Sequence, residues 1–418
     1  MARNPRRTWP QRLTIALLIV TSLGALGTAG GLAAGQWVLS DRQIVEFDPT
    51  PQGAGPGDQR PGVVIPGATT PPPVSAIEGA TTTTLPIAEP NAANFLLAGA
   101  DNGDCAGLQD PTVGERDPVN ARSDTLMVWR VNPDTNQLAV LSFPRDLYVE
   151  LPNGRHGRIN QAYERNDPSG LRETLWTNFG VPVDHYIQID FCAFRTLVDA
   201  VGGVEVPFEH PARDSSVAFE VPAGCVNLDG HQALAYVRSR HYQWQDADGD
   251  WNSDGTSDFG RIARQQDFLR RVLAKVISDE LYRPDTISAL LETNRDYLVT
   301  DDALTPGKII EFANVLRSIN PAEIATYRIA SRSRNVGGAA MQEPLIEGDN
   351  MQAILRVFRG QATLGSAPDQ VLDTTVPSGF AAPPATTTPV DAPPTTPLPT
   401  VVVPVEPEGV SPDPAATC

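Results

Sequence analysis

Proline and threonine are concentrated in two stretches of this chain, and their placement limits where a packed domain can form. One stretch covers residues 48–90, and the other begins near residue 370 and continues towards residue 418. Such segments bury too little apolar surface to fold on their own. About 270 residues remain between them, which is enough for one domain with a sizeable core.

An uncharged run, from Leu13 to Leu39, precedes the first of these stretches. It is long enough to cross a bilayer as a helix. Four arginines precede it, so the positive-inside rule keeps the N-terminus in the cytoplasm and sends the rest of the chain outside. The alternative is a signal peptide cleaved near Ala33, although the apolar run is long for one. We therefore predict a single-pass protein of the cell membrane.

Three glycines in this run, Gly27, Gly31 and Gly35, recur every four residues. This spacing lets membrane helices pack closely as dimers. Small residues are also common in spans that do not dimerise, so a dimer through the transmembrane helix stays open.

The chain divides into five predicted regions. They are a cytoplasmic N-terminus (1–12), a transmembrane helix (13–39), a Pro/Thr-rich linker that lifts the domain off the membrane (40–90), a compact domain (91–365) and a Pro/Thr-rich disordered tail (366–418).

The net charge of −18 argues against a protein that binds nucleic acid, because such a protein needs a basic face. Any positive cleft must therefore be local. Four cysteines fit an exported chain, in which disulfides persist. We expect Cys192 to pair with Cys225, since both lie at element boundaries near the predicted site; the sequence alone leaves the connectivity open.

Strand and helix patterns alternate through the compact domain, which predicts an α/β sandwich with a central mixed sheet flanked by helices. The predicted strands are 94–100, 126–131, 138–143, 184–189, 204–206 and 323–329. The predicted helices are 169–179, 192–201, 229–237, one starting near 260, two more ahead of the strand at 323–329, and 350–358. We expect the second and third strands to form a hairpin, and Asp229 to cap its helix.

Four arginines flank an acidic, glycine-containing loop between Ala235 and Gln266: Arg238 and Arg240 before it, Arg261 and Arg264 after it. Guanidiniums gathered in one cleft repel each other unless an anion joins them. Their planar donor sets suit phosphate oxygens. The cluster therefore predicts a binding site for a diphosphate.

Two acidic residues, Asp101 and Asp124, lie at strand ends, and arginines accompany them at Arg122 and Arg145. If the two strands are neighbours, the carboxylates can approach one Mg²⁺, with Mn²⁺ as a substitute, and phosphate and water complete the shell. A metal and arginines together neutralise the charge that builds on a departing phosphate.

The acidic loop at 245–258 imitates the start of a calcium loop, with Asp250, Asn252 and Asp254-Gly255. The twelfth position is Arg261, where that motif needs a glutamate. A solvated loop is therefore the favoured interpretation, with calcium binding left open.

Seven motifs, in this order, resemble the signatures of the LytR–CpsA–Psr (LCP) family. They are LAGAD (97–101), RSDT (122–125), SFPRD (142–146), RINQAY (158–163), VDAVGGV (198–204), LDG with ALAYVRSR (228–240) and DFGRIARQQ (258–266). The resemblance covers about residues 93–280. The sequence after Tyr163 lacks the paired glycines expected there, so the loop near the acceptor is expected to differ.

The resemblance implies a Mg²⁺-dependent phosphotransferase that moves a glycan phosphate from a polyprenyl diphosphate carrier to a peptidoglycan hydroxyl. Its metal ligands would be Asp101 and Asp124, and Asp101 and Asp146 are candidates for the base. The prenyl tail would lie among apolar side chains of the core. The residues around the diphosphate would be Arg122, Arg145, Arg238, Arg240, Arg261, Arg264 and Gln265.

Three other functions fit parts of the pattern. A diphosphate hydrolase would use the same metal and arginines with water as the acceptor. A non-catalytic module that binds the lipid carrier or the wall would use the arginines alone. A transcriptional regulator is disfavoured by the acidity and by the outward topology.

Overall fold

This computed structural model describes residues 43–47, 88–100, 123–277, 298–371 (without 306, 307, 309, 310, 313, 314 and 317) and Cys418. The predicted transmembrane helix, most of the linker and most of the tail lie outside these residues. Within the described part of the chain, no helix is long and apolar enough to cross a membrane.

The described residues form seventeen strands and five α-helices. The strands are β1 Gln43–Val45, β2 Ala93–Ala100, β3 Ser123–Asn132, β4 Gln137–Ser142, β5 Tyr148–Glu150, β6 His156–Arg158, β7 His185–Asp190, β8 Val204–Phe208, β9 Ala212–Asp214, β10 Phe219–Val221, β11 Gly224–Leu228, β12 Gln243–Gln245, β13 Trp251–Ser253, β14 Leu298–Asp301, β15 Ala325–Arg328, β16 Ser331–Val336 and β17 Ala339–Pro344. The α-helices are α1 Ser169–Phe179, α2 Phe191–Ala200, α3 Gly230–Arg238, α4 Asp258–Ile277 and α5 Asp349–Phe358.

A seven-stranded mixed sheet is the centre of the fold, in the order β1-β14-β7-β2-β3-β4-β15. Strand β3 runs antiparallel to both of its neighbours, β2 and β4, whereas β2 pairs with β7, and β4 with β15, in parallel. The predicted mixed sheet is confirmed, as is the hairpin of β3 and β4, in which Asn136 has a φ of 52°.

Alternating side chains of the sheet face two different helical layers. Leu96 and Val128 pack with α1 and α5 in one core cluster, and Phe95 and Met127 pack with Leu273 of α4 in another. Because successive residues of a strand point to opposite faces, β2 and β3 contribute to both clusters. The predicted sandwich is therefore confirmed.

The sequence signals at the helix ends correspond to hydrogen bonds in the structure. Asp229 accepts from the backbone N–H of Gln232 (2.8 Å), whose side chain completes a capping box at the start of α3, as predicted for Asp229. Asp190 caps α2 in the same way, through Ala193 (2.7 Å). These caps hold the ends of both helices at the carboxyl side of β7 and β11.

Strand β1 lies inside the region predicted to be a linker. It pairs in parallel with β14, and the side chain of Phe47, which follows it, is buried in the central core. The N–H of Phe47 also donates to Asp302 (3.3 Å). The domain therefore begins at about residue 43, ahead of the Pro/Thr-rich stretch.

The expected disulfide between Cys192 and Cys225 is wrong. Cys225 on β11 is bonded to Cys418, with Cα atoms 5.6 Å apart, and Cys192 belongs to a different disulfide. The tail also packs further than predicted, because the side chain of Gln370 exchanges hydrogen bonds with the backbone of Arg328.

Candidate active site

The ends of three adjacent strands form the edge of the sheet that carries the site. The last residue of β2, Ala100, pairs with Ser123 at the start of β3. After β4, Phe143 continues the ladder by donating to the carbonyl of Leu126 (2.9 Å). Asp124 and Arg145 therefore meet at this edge. Asp101 and Arg122 lie outside the described residues, but each is the chain neighbour of one of the paired residues.

Three guanidiniums surround the carboxylate of Asp124. Arg145 Nη1 lies 2.8 Å from Oδ1, and Arg240 Nη2 lies 2.9 Å from Oδ2. Arg261 Nη1 is 3.9 Å from the same Oδ2. These residues come from β3, the segment after β4, the segment after α3, and α4. We call Asp124, Arg145, Arg240 and Arg261 the arginine cluster.

A second carboxylate, Asp258, lies beside this cluster. Its Oδ1 is 2.8 Å from Arg261 Nη2, 3.5 Å from Arg240 Nε and 4.0 Å from Arg145 Nε. Asp258 is the first residue of α4 and lies three residues before Arg261, so one helical turn carries both charges. Sequence reasoning quoted Asp258 in a motif but did not single it out.

The arginines set the protonation of Asp124. Burial alone would raise the pKa of this carboxyl, but the charges of Arg261, Arg240 and Arg145 outweigh burial and lower the pKa to about 2. Burial and the charge of Arg261 lower the pKa of Arg240. Asp124 is therefore a carboxylate at every physiological pH, and the positive charges of the cluster are not fully compensated.

Several buried donors of the cluster have no acceptor in hydrogen-bonding geometry within the described part of the chain. They are the Nε atoms of Arg145, Arg240 and Arg261, and Oδ1 of Asp258 is likewise without a well-aligned donor. Buried donors of this kind normally have partners. A ligand that offers several anionic oxygens would satisfy them, and a diphosphate is such a ligand.

Asp214 holds the segment that presents Arg240. Its Oδ2 accepts from the Ser239 hydroxyl (2.6 Å) and from the backbone N–H groups of Arg240 (3.0 Å) and His241 (2.8 Å). Asp214 ends β9 and is fully buried. Burial alone would raise the pKa of Asp214, but hydrogen bonds from Ser216, Ser239 and the backbone of His241 outweigh burial and lower it. Nothing in the local sequence pattern distinguished this residue, because the groups that it holds beside Arg240 are at least 25 positions away.

Arg264, predicted to contact the diphosphate, lies outside the arginine cluster. It is completely buried, and its Nη1 pairs with Asp254 Oδ2 at 2.8 Å. Its Nη2 donates to the carbonyl of Ser239 at 2.7 Å, and its guanidinium lies over the Tyr242 ring, 4.6 Å from the centroid. Both terminal nitrogens therefore bind protein groups, and the role of Arg264 in this structure is to hold Ser239.

Gly260 leaves the space that this ion pair needs. A Cβ atom at this position would lie 2.8 Å from Asp254 Oδ2 and 3.2 Å from Arg264 Nη1. A larger residue would displace both partners, which explains a glycine inside the first turn of α4 despite its poor helix propensity.

The other predicted site residues lie around the cluster. Gln265 donates to Thr125 Oγ1 (2.8 Å) and to the Val237 carbonyl (3.1 Å), so it joins β3 to the end of α3. Arg238 lies over the Phe191 ring, 4.5 Å from the centroid. Asp146 is paired with Arg145 Nε (3.4 Å) and with Arg158 Nε (3.0 Å), and the sequence had not assigned a role to Arg158.

The acidic loop forms a turn between β12 and β13. Oxygens of Asp246 accept from the N–H groups of Asp248 (3.1 Å) and Asp250 (2.9 Å) and from Asn252 Nδ2 (2.9 Å). Among the described residues, no three His, Cys, Asp or Glu side chains are grouped so that they could hold a metal. The carboxylate of Asp246 is thus used to close the turn.

The chain belongs to the LytR–CpsA–Psr family, which it matches over residues 74–356. This agrees with the ordered motifs, and it establishes the family from the fold and the sequence together.

Among its relatives is the polyisoprenyl-teichoic acid–peptidoglycan teichoic acid transferase TagU of Enterococcus faecalis, which is 32% identical over 186 residues, 44% of this chain and 54% of that protein. Another is the probable cell wall biosynthesis protein LcpB of Corynebacterium glutamicum, 33% identical over 197 residues, 46% of this chain and 44% of that protein. The chain spans about half the length of the curated relatives it matches.

Solved structures support the fold. A LytR-Csp2A-Psr enzyme from Actinomyces oris has a TM-score of 0.50 at 21% identity, covering 65% of this chain and 90% of the other. TagV of B. subtilis has a TM-score of 0.50 at 22% identity, covering 65% and 97%.

Proposed function

We propose that this protein is a membrane-anchored phosphotransferase that acts outside the cytoplasm. It moves a glycan phosphate from a polyprenyl diphosphate carrier to a hydroxyl of peptidoglycan. The observation that carries the proposal is the convergence of Arg145, Arg240 and Arg261 on one sheet edge, with Nε donors that have no aligned acceptor there. The teichoic acid transferase activity named for relatives of this chain supports the same chemistry.

The reaction replaces the phosphoanhydride bond of the diphosphate with a phosphate ester bond to the acceptor. The acceptor oxygen bonds to the phosphorus that carries the glycan, and the bond from this phosphorus to the bridging oxygen breaks. Polyprenyl phosphate leaves with the bonding electrons. Negative charge increases on the bridging and outer oxygens, where the guanidiniums of Arg145, Arg240 and Arg261 can stabilise it.

A divalent cation fits the residues at this edge. Asp124 is ionised, and Ala100 pairs with Ser123, the residues that precede Asp101 and Asp124 in the chain. One or two carboxylates with phosphate oxygens form the donor set that Mg²⁺ prefers. When bound, the ion would polarise the diphosphate and neutralise part of its charge. Asp101 and Asp124 are the residues we propose as its ligands.

A carboxylate can accept the proton of the acceptor hydroxyl, and Asp146 is the candidate among the described residues. It lies next to Arg145, which contacts Asp124, and it is about a quarter exposed to solvent. Its two arginine partners hold it in place at the mouth of the cluster. A loose phosphoryl-transfer transition state needs little help from a strong base.

The test uses the full-length protein in proteoliposomes that contain a polyprenyl-diphosphate-linked glycan, together with purified peptidoglycan. The measured quantity is glycan phosphate attached covalently to the wall material. We expect transfer by the wild type and a loss of about 100-fold or more for Asp124→Ala and Arg240→Ala.

Three results would contradict the proposal in different ways. Unchanged transfer by both variants would mean that the arginine cluster is not the site. Release of free glycan phosphate without a wall product would identify a hydrolase. Binding of the lipid donor by the wild type without either product would identify a non-catalytic module.

A further inference from the structure

Strand β1 joins the domain to the predicted transmembrane helix through a very short segment. The predicted helix ends at Leu39 and β1 begins at Gln43, so three residues separate them. Three extended residues reach about 10 Å. β1 is held in place by its pairing with β14 and by the buried side chain of Phe47.

The direction of β1 determines which edge of the sheet is nearest to the predicted helix. β1 is parallel to β14, β14 is antiparallel to β7, β7 is parallel to β2, and β2 is antiparallel to β3. β1 and β3 therefore run in the same direction and begin at the same edge. Asp124 is the second residue of β3, so the chain enters β1 from the edge that carries the site.

The register of the sheet gives the same result residue by residue. One row across the five strands consists of Gln43, Val299, Gln188, Ala98 and Leu126. Asp124 lies two residues beyond Leu126 towards the edge. Four strand spacings of about 4.8 Å separate β1 from β3, or about 19 Å across the sheet.

The Pro/Thr-rich stretch cannot set the distance between domain and membrane, because both of its ends are fixed to the domain. Phe47 is buried in the core on one side. On the other side the N–H of Ala88 donates to the Gly360 carbonyl (3.0 Å), and Glu89 accepts from the N–H of Leu364 (3.1 Å). The described residues on both sides of residues 48–87 are thus attached to the domain.

We infer that the sheet edge carrying Asp124, Arg145 and Arg240 faces the bilayer surface, held there by β1. The partner of this edge is the lipid surface from which a polyprenyl diphosphate projects. The inference rests on the proposed function for the membrane anchor and for the lipid donor. It adds the orientation of the domain relative to the bilayer. It also replaces the predicted linker at residues 40–90 with a connection of three residues between the predicted helix and β1.

Two observations on the surface agree with this orientation. Ile44, at the centre of β1, is half exposed, and it is one of only two large apolar side chains exposed to this degree in the described part of the chain. Arg145, Arg158 and Arg240 are each about a quarter exposed at the same edge. An exposed apolar side chain on the strand nearest to the predicted helix, and arginines at the edge that carries the site, suit the boundary of an anionic bilayer.

The test compares the same 24-residue Gly/Ser insertion at two positions in the full-length protein. One insertion lies between Ser40 and Asp41, ahead of β1, and the matched control lies between Gly57 and Asp58, within residues 48–87. Each protein is assayed in proteoliposomes with a long-chain polyprenyl donor and in detergent micelles with a short-chain, soluble donor.

We expect the insertion at residue 40 to lower transfer from the long-chain donor in liposomes by about tenfold, because a flexible segment of this length lets the site move tens of ångströms away. The control should retain at least half of wild-type transfer. Both proteins should use the short-chain donor as the wild type does. Equal losses for the two insertions, or no loss for the first, would overturn the inference. Failure of the wild type with both donors would instead contradict the proposed function.

An activity-independent measurement tests the orientation alone. A donor fluorophore is attached to one of two introduced cysteines. Ser215→Cys lies beside Asp214 at the edge that carries the site, and Thr135→Cys lies in the β3–β4 turn at the opposite edge. Both positions are exposed. We expect stronger energy transfer to a headgroup-labelled lipid from position 215 than from 135, and a smaller difference after the insertion at residue 40. Equal or reversed efficiencies in the protein without the insertion would overturn the inference.

Discussion

Arg264 and Asp254 form an ion pair in which neither side chain reaches solvent, with Nη1 2.8 Å from Oδ2. The second terminal nitrogen of Arg264 binds the carbonyl of Ser239, the residue before Arg240. Removing one partner of a buried ion pair destabilises the fold strongly, because the other partner is left as an uncompensated charge. Arg264 therefore supports Arg240 through the backbone and contributes to the fold itself.

Replacing Arg264 with methionine should lower the free energy of unfolding by about 3–5 kcal/mol, because Asp254 would remain as an unpaired buried charge. The measurement is denaturant unfolding of the detergent-solubilised protein, followed by tryptophan fluorescence. The double variant R264M/D254L should lose less stability than R264M alone, since no buried charge remains.

The matched substitution Arg240→Met distinguishes an arginine that stabilises the fold from one that is needed for transfer. Arg240 is about a quarter exposed, so we expect its loss to change the free energy of unfolding by no more than about 1 kcal/mol. Transfer should nevertheless be almost abolished. A stable R264M protein, or an R240M protein as unstable as R264M, would contradict the different roles assigned to the two arginines.

Helical periodicity explains why Arg261 lies in the arginine cluster and Arg264 does not, although the sequence predicted both to surround the diphosphate. The two residues lie three apart, and their directions from the helix axis differ by about 60°. This difference is enough for Arg261 to point at Asp124 and Asp258 while Arg264 points at Asp254. A pattern of spacing identifies the shared face but not which neighbour each side chain meets.

Local patterns predicted the central elements well, because β2, β3, β4, α1 and α5 carry their own apolar periodicity and turn residues. They could not predict β1, whose three residues form a strand only because β14 pairs with them, about 255 positions later. The contact between Asp214 and the backbone N–H of Arg240 likewise depends on the tertiary structure.

The disulfide between Cys225 and Cys418 should be found in the protein exported from cells. These residues are 193 positions apart, so only tertiary structure could indicate the pair. Proteolysis without reduction should give a cross-linked peptide that contains both residues, detected by mass spectrometry, and it should disappear on reduction. A peptide that links Cys192 to Cys225 instead would restore the original prediction.

The depressed pKa of Asp124 predicts an acid-dependent loss of stability in the metal-free protein. The pKa is about 2 in the folded state and roughly 3.9 in an unfolded chain. The carboxylate therefore stabilises the fold fully above about pH 5, and this contribution is lost as the pH falls towards 2. At pH 6 it amounts to about 2 kcal/mol.

The measurement is the free energy of unfolding of wild type and Asp124→Asn in EDTA between pH 3 and pH 6. The variant should be less stable at pH 6, and the difference should decrease as the pH is lowered. A difference that stays constant over this range would mean that the arginines do not lower the pKa of Asp124 in solution.

Asp258 should compete with the substrate for the arginines. Its Oδ1 occupies Nη2 of Arg261 and lies near Nε of Arg240, two donors that a phosphate could use. In Asp258→Asn the side chain keeps its shape but loses its charge, so inorganic pyrophosphate should bind roughly tenfold more tightly in EDTA. Isothermal titration calorimetry at one fixed salt concentration measures the dissociation constant.

The control for this variant is Asp248→Asn, which changes the net charge equally at an exposed position of the β12–β13 turn. Its affinity should stay within about twofold of wild type, because solvent and salt screen a charge outside the cluster. Equal gains for both variants would indicate a general field effect. Weaker binding by Asp258→Asn would mean that the carboxylate orients Arg261 and Arg240 for the ligand. The loss of this orientation would then weaken binding more than the loss of repulsion between Asp258 and pyrophosphate strengthens it.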